Sequence, residues 1–137
     1  MPRTLDSRGS APTGPRVLVI DDDDDIADVL REALSDDGYA VATVRHGAAA
    51  LDILHNRPAD VILLDLRMPI MDGWSFVRSY RDAAADGAAP IILLSGVSNL
   101  ADAARAVRAD AYIAKPFELA AVRQTIERCR VSPKLDA

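Results

Sequence analysis

Short apolar runs that end in a polar residue recur along this chain. Three of them hold four apolar residues in unbroken succession, at residues 17–20, 61–64 and 91–94. A continuous run of this length, rich in valine and isoleucine, is typical of a strand buried on both faces of a parallel sheet. Two further segments, at residues 39–44 and 112–114, predict an edge strand and a short last strand.

Between these strands the apolar residues follow a helical period. After the first strand, Ile26, Leu30 and Leu34 recur at helical spacing, and Gly38 is placed to end that helix. The same reasoning predicts helices over residues 47–55, 74–85, 99–109 and 118–131. Alternating strands and helices demand right-handed crossovers and a parallel sheet covered on both faces. The sequence therefore predicts a doubly wound α/β fold with strand order 2-1-3-4-5.

The carboxyl ends of these strands carry the candidate chemistry. Asp21 and Asp22 follow the first strand, Asp65 follows the third, Ser95 follows the fourth, and Lys115 follows the fifth. Three carboxylates at one sheet edge repel one another unless a cation neutralises them, and oxygen ligands favour Mg²⁺. Because Mg²⁺ usually binds one or two carboxylates together with a phosphate, phosphate is the implied ligand. A lysine and a serine suit phosphoryl oxygens, and a carboxylate can act as the acceptor.

Composition and charge narrow the class of protein. The formal net charge is −5 and the sequence pI is about 4.9, which disfavours direct binding to DNA or to an anionic membrane. No apolar run approaches the ~20 residues that span a bilayer, and the first residues lack the apolar centre of a signal peptide. The single cysteine, Cys129, cannot form an internal disulfide. We expect a cytoplasmic protein with a mobile leader over residues 1–15, one domain over 16–131 and a short tail over 132–137.

Four motifs in this order resemble those of the receiver domain of two-component response regulators, of the chemotaxis-receiver type. They are Asp21-Asp22 after an apolar strand, Asp65 with the MPIMDG sequence that follows it, Ser95-Gly96 after IILL, and Tyr112 before Lys115-Pro116-Phe117. The resemblance covers residues 16–131 and implies a flavodoxin-like fold. Each motif alone is weak, but four with suitable separations are specific.

The resemblance also implies a phosphoacceptor and a metal site. It implies that Asp65 accepts a phosphoryl group from a histidine kinase or a histidine phosphotransfer protein. It implies that Asp22, Asp65 and the backbone carbonyl of Arg67 bind Mg²⁺ directly, while Asp21 acts largely through water. In this family the reaction is signalling and not enzymatic turnover, apart from self-phosphorylation and self-dephosphorylation.

A switch is implied at the same strand ends. By resemblance Ser95 and Lys115 contact the phosphoryl group, Ser95 and Tyr112 reorient on activation, and the Lys115-Pro116 bond is cis. Phosphorylation adds ~1.5–2 negative charges, which biases a rearrangement of the fourth helix and fifth strand. We expect a stand-alone receiver that docks to another protein, or pairs as a homodimer, through the face of helix 4, strand 5 and helix 5.

One position and one segment depart from the family's pattern. Arg108 stands where the family usually has glycine after the fourth helix, and the segment between Ser95 and Lys115 is slightly short. Because a left-handed helix cap penalises a residue with a Cβ, we expect that turn to be rebuilt. Val97, two residues beyond Ser95, is apolar and would hold no attacking water, so our hypothesis is a long-lived phosphorylated state.

Two other interpretations compete with the receiver. The opening VLVIDDDDD also resembles haloacid-dehalogenase-like phosphatases, in which Asp21 would be the nucleophile and Asp23 the acid/base. The phosphatase interpretation lacks an acidic pair after Lys115 and leaves Asp65 unexplained. An inert receiver-like module that binds a partner without phosphorylation is disfavoured because every expected site residue is present.

Overall fold

Five parallel strands form one sheet in the order β2-β1-β3-β4-β5, as the sequence predicts. The computed structural model describes residues 14–66, 73–84 and 87–131. The strands are β1 (Arg16–Ile20), β2 (Ala40–Val44), β3 (Val61–Leu64), β4 (Ile91–Ser95) and β5 (Ala111–Ala114). The helices are α1 (Asp24–Asp36), α2 (Gly47–Asn56), α3 (Gly73–Ala84), α4 (Leu100–Val107) and α5 (Leu119–Val131). The predicted tail, and the predicted leader except Gly14 and Pro15, lie outside the described residues.

The strand register brings the candidate site residues to one edge. Ile20 of β1 pairs with Leu64 of β3, so the residues that follow each strand are neighbours. The ladder continues one step further, because the Asp65 N–H donates to the carbonyl of Ile20 at 2.9 Å. Further along the same sheet, Ser95 of β4 pairs with Ala114 of β5. All these strand ends therefore lie at the same carboxyl edge.

Two apolar clusters hold the helices against the two faces of the sheet. Side chains alternate along each strand, so Leu18 and Ile20 face the cluster formed with α2, α3 and α4. Val17 and Val19 face the opposite cluster, formed with α1 and α5. Both clusters consist mainly of buried aliphatic side chains, with a few aromatic ones, and truncating a buried leucine or isoleucine to alanine costs ~2–5 kcal/mol. Within the described ranges no helix combines the length and the apolar character needed to cross a membrane.

Both ends of α1 are capped, and its C-terminal end agrees with the sequence prediction. Asp23 is the N-cap, and its carboxylate accepts hydrogen bonds from the N–H groups of Asp25 (3.0 Å) and Ile26 (3.2 Å). Such a cap stabilises a helix by ~0.5–2 kcal/mol. At the other end Gly38 has a φ of 98°, a conformation that glycine adopts without a Cβ penalty. The predicted role of Gly38 in ending this helix is confirmed.

The end of α4 differs from the prediction. The helix ends at Val107, two residues before the predicted limit, because Arg108 adopts a left-handed conformation with φ 59° and ψ 43°. The prediction that arginine would force a rebuilt turn is wrong, although a Cβ in this conformation costs ~1–2 kcal/mol. The guanidinium of Arg81 donates hydrogen bonds to the carbonyls of Val107 and Arg108, the latter at 2.6 Å. Each such bond contributes ~0.5–1.5 kcal/mol, which offsets the cost.

Candidate functional site

Three carboxylates converge at the carboxyl edge of the sheet. One oxygen from each of Asp21, Asp22 and Asp65 lies within 4.8 Å of the others. Asp21 and Asp65 are almost fully buried, with 2% and 7% of their surface exposed, and Asp22 is partly exposed. The parallel pairing of β1 and β3 produces this arrangement, because it places the first residue beyond each strand side by side.

Lys115 extends from the turn after β5 into this cluster. Its Nζ donates to Asp21 Oδ2 at 2.8 Å and to Asp65 Oδ2 at 3.2 Å. The backbone N–H of Lys115 donates to the carbonyl of Ser95 at 3.0 Å, which fixes the start of the turn against β4. The Lys115-Pro116 bond is cis, as the resemblance implies.

Ser95 approaches the cluster from the end of β4. It is fully buried, and its Oγ donates to Asp65 Oδ1 at 3.1 Å. Ser95 and Lys115 therefore hold the two oxygens of Asp65 separately, one through a hydroxyl and one through an ammonium. This arrangement fixes the orientation of the Asp65 carboxylate.

The electrostatics of the cluster favour a divalent cation. Burial raises the pKa of the Asp21 carboxyl, although the Lys115 ammonium and the Asp23 N–H both stabilise its ionised form. Burial disfavours the ammonium of Lys115, but its hydrogen bond to Asp21 and the charges of Asp21 and Asp65 outweigh burial and raise the pKa of Lys115. Three carboxylates facing one ammonium leave two negative charges in excess when all are ionised. An all-oxygen donor set with this charge fits Mg²⁺.

Of the residues that the sequence singled out, five meet here, Tyr112 does not, and Arg67 is not among the described residues. The five are Asp21, Asp22, Asp65, Ser95 and Lys115. Tyr112 has 51% of its surface exposed and lies on the α4 side of β5, whereas its two neighbours in the strand are partly buried on the α1 and α5 face. Arg67, whose carbonyl is an expected metal ligand, lies outside the described residues, as does the rest of 67–72.

Asp23 bears on the phosphatase interpretation. A phosphatase of this kind needs the Asp23 carboxylate as an acid/base beside Asp21, but the carboxylate is exposed and caps α1. Only the backbone N–H of Asp23 contacts Asp21, donating to Oδ1 at 2.9 Å. The geometry thus gives Asp23 a structural role.

Gly73 has a positioning role that sequence reasoning missed. Its N–H donates to the carbonyl of Leu66 at 3.2 Å, and an added Cβ would lie 2.8 Å from the Leu66 Cα. The start of α3 therefore approaches the residue after Asp65 too closely for any side chain. The Asp72-Gly73 pair predicts a turn in the sequence, but a close approach to a residue seven positions earlier leaves no local signal.

Comparison with known proteins identifies the family. The model of the response regulator receiver domain matches residues 17–127. The transcriptional regulatory protein PrrA of Mycobacterium tuberculosis is 44% identical over 111 residues, covering 79% of this chain and 46% of PrrA, so the chain spans about half the length of such curated relatives.

Solved structures agree with this match. The chemotaxis response regulator CheY4 of Vibrio cholerae is 31% identical with a TM-score of 0.77, covering 85% of this chain and 98% of that one. The response regulator TrrA of Thermotoga maritima, solved in complex with Mg²⁺-BeF, is 30% identical with a TM-score of 0.75, covering 84% of this chain and 98% of that one. The chain belongs to the response regulator receiver domain family.

Proposed function

We propose that this chain is a phosphorylation-operated switch in which Asp65 accepts a phosphoryl group from a histidine kinase or a histidine phosphotransfer protein. One observation carries the proposal: Asp65 is a buried carboxylate whose two oxygens are oriented by different donors, Ser95 and Lys115. A buried acid with no chemical role would need only enough donors to hydrogen-bond its carboxylate oxygens. Here it also lies against two further carboxylates, an arrangement that is unfavourable unless a cation joins it.

The residues at this edge match the needs of phosphoryl transfer. A carboxylate oxygen of Asp65 attacks phosphorus, and the bond between phosphorus and the donor breaks. Mg²⁺ held by Asp22 and Asp65, with Asp21 acting through water, would neutralise charge on the transferring group. The Ser95 hydroxyl and the Lys115 ammonium, which now hold Asp65, are within reach of phosphoryl oxygens formed on it.

The same two residues connect the site to a distant surface. Ser95 is the last residue of β4, and the loop from it leads to α4. Its carbonyl accepts the N–H of Lys115, so a movement of either residue affects the β4–β5 pair. Tyr112 lies on β5 beside α4 and half exposed, where it can respond to a movement of α4. We infer that phosphorylation changes the face of α4, β5 and α5 and thereby its binding to a target protein or to a second copy.

The output of this receiver is a separate question. PrrA is a transcriptional regulatory protein, and this chain spans about half of its length. Our expectation that the receiver acts without an output domain, and without binding DNA itself, stays a prediction. The chemistry proposed for Asp65 does not depend on it.

Intact-protein mass spectrometry tests the phosphoacceptor directly. The parent chain, Asp65→Asn, Asp21→Asn and the control Asp60→Asn are incubated with Mg²⁺ and acetyl phosphate. We expect a labile gain of one phosphoryl group on the parent and on Asp60→Asn, a weak gain on Asp21→Asn and none on Asp65→Asn. Modification that persists in Asp65→Asn but vanishes in Asp21→Asn would support the phosphatase, and no modification of any chain would support the inert module.

The lifetime of the phosphorylated state depends on Val97. This side chain is partly buried against the cluster of α2, α3 and α4, close after Ser95. Val97→Glu introduces a carboxylate that can hold a water near the phosphoryl group, so we expect faster loss of the label, followed by mass spectrometry after removal of the donor. An unchanged decay rate would refute our hypothesis that Val97 prolongs the phosphorylated state.

A further inference from the structure

A groove between α3 and α4 combines an exposed aromatic side chain with exposed arginines. Val77 and Val107, both buried, form its floor. Trp74, the only tryptophan of the chain, stands on its α3 wall with 43% of its surface exposed. Arg78 lines the groove from α3 and Arg108 from the cap that follows α4, and both are exposed.

The groove is basic in an otherwise acidic chain. Arg78, Arg81 and Arg108 line it, against one acid, Asp82, so its walls carry a net charge of about +2, whereas the chain carries −5. Arg81 is engaged with the carbonyls at the end of α4. Among the residues that the structure describes, no carboxylate pairs with the side chains of Arg78 or Arg108.

The backbone at Arg108 is unfavourable for a residue with a side chain. Its left-handed conformation is one that glycine adopts without penalty and that a Cβ disfavours. The chain nevertheless places a long cation there, and Arg81 holds the turn in place from α3. A residue kept in an unfavourable conformation by its surroundings is a reason to look for function.

We propose that this groove docks an acidic segment of a partner protein. An aliphatic side chain of that segment packs on Trp74, and its carboxylates pair with Arg78 and Arg108. Tryptophan and arginine are the side chains that most often dominate binding energy at protein interfaces, and opposite charge steers the encounter. This docking is additional to the phosphoacceptor function and does not require it.

Trp74 gives the test a local signal. Because the chain has no other tryptophan, its fluorescence reports on this groove. The unphosphorylated chain is titrated with a synthetic peptide of repeating Glu-Glu-Leu-Leu and, as a control, with Lys-Lys-Leu-Leu. We expect a saturable change in emission with the acidic peptide, lost at high salt, and none with the basic one.

Variants distinguish binding in the groove from non-specific attraction of the peptide to any basic part of the surface. We expect Arg78→Glu and Arg108→Glu each to weaken binding at least ~10-fold. Arg128→Glu reverses an exposed charge on α5, at the other face of the sheet, and should change the affinity for the peptide by less than ~2-fold. Arg108→Gly removes the charge while relieving the backbone, so it should bind more weakly and yet be no less stable than the parent.

Several outcomes would overturn the proposal. These are the absence of a saturable change, equal binding of the basic peptide, or equal weakening by Arg128→Glu. Self-association in sedimentation velocity that Glu32→Lys and Arg78→Glu each abolish would instead show that a second copy occupies the groove, through the acidic face of α1 around the exposed Val29. Asp65→Asn should bind the peptide like the parent, so a failure here is distinct from a failure of phosphorylation.

Discussion

Aspartates lie at both edges of this sheet, but they are satisfied in different ways. At the amino edge Asp60 precedes β3 and accepts the N–H of Arg16 at 2.7 Å, while Asp110 precedes β5 and accepts the N–H of Ile91 at 2.8 Å. At the carboxyl edge Asp21 and Asp65 lie close together and share Lys115. The amino-edge acids are separate and bonded to backbone, whereas the carboxyl-edge acids are crowded.

The direction of the strands explains the difference. The amino ends of parallel strands present N–H groups, which are the partners that a carboxylate needs. The carboxyl ends present carbonyl oxygens, which cannot donate a hydrogen bond to an acid. Acids at that edge therefore depend on the loop that follows the strand, as in the bond from the Asp23 N–H to Asp21, on side-chain donors or on a cation. The same residue type is structural at one edge and suited to binding metal and phosphate at the other.

Removing the ammonium from the carboxyl edge should have the largest effect on stability. Lys115→Met leaves three carboxylates without their cation, and since Lys115 is 17% exposed we expect a loss of ~2–3 kcal/mol in the free energy of unfolding in EDTA. Saturating Mg²⁺ should restore most of it, because binding to the native state stabilises that state. Urea unfolding with and without Mg²⁺ measures both, and an equal loss in the two conditions would mean that only packing was lost.

Removing an acid from the amino edge should reduce stability without involving metal. Asp110→Ala leaves the N–H of the fully buried Ile91 without its acceptor, which costs ~1–3 kcal/mol. Asp110→Asn keeps an acceptor oxygen and should cost less. Mg²⁺ should not restore the alanine variant, and acetyl phosphate should still modify it at Asp65. A stability loss that Mg²⁺ reverses would break the contrast between the edges.

The corresponding change at the start of β1 should be smaller. Asp60→Ala removes the acceptor of the Arg16 N–H, but Arg16 is only partly buried, so water can replace the carboxylate. We expect a loss of under ~1 kcal/mol in the same urea measurement. A loss as large as that of Asp110→Ala would show that burial of the amide does not control the cost.

The sequence predicts the carboxyl edge much better than the amino edge. An apolar run followed by an acid marks a strand and its end together, so the pattern alone places Asp21 and Asp65 at strand ends. It does not single out Asp60 and Asp110, although each follows an alanine and directly precedes a strand, in ADVILL and ADAYIA. An Ala-Asp pair directly before a strand is therefore the only local sign of these two acids. Predicting their role from it also requires knowing that a neighbouring strand starts there with an N–H that needs an acceptor.

Long-range contacts account for what local rules predicted wrongly. The preference for glycine in a left-handed cap is a local rule, and it predicted a rebuilt turn at Arg108. Arg81, which is 27 residues away in sequence, supplies the hydrogen bond that holds the turn, and no spacing pattern connects the two. The exposure of Tyr112 likewise depends on which face of β5 the fold covers.

The smallest effect concerns the pH dependence of the crowded edge. Burial raises the pKa of Asp21 above 3.8, so between that value and the raised one the native state binds more protons than the unfolded state. In EDTA, this carboxyl should therefore lower the free energy of unfolding as pH rises through that window. Asp21→Asn removes this titrating carboxyl. When both chains are unfolded in urea across the acidic pH range, the free energy of unfolding of the parent minus that of the variant should therefore fall as pH rises. A difference that rises with pH would mean that the donors to Asp21, which are Lys115 and the Asp23 N–H, outweigh its burial, so that crowding would not set the behaviour of this edge.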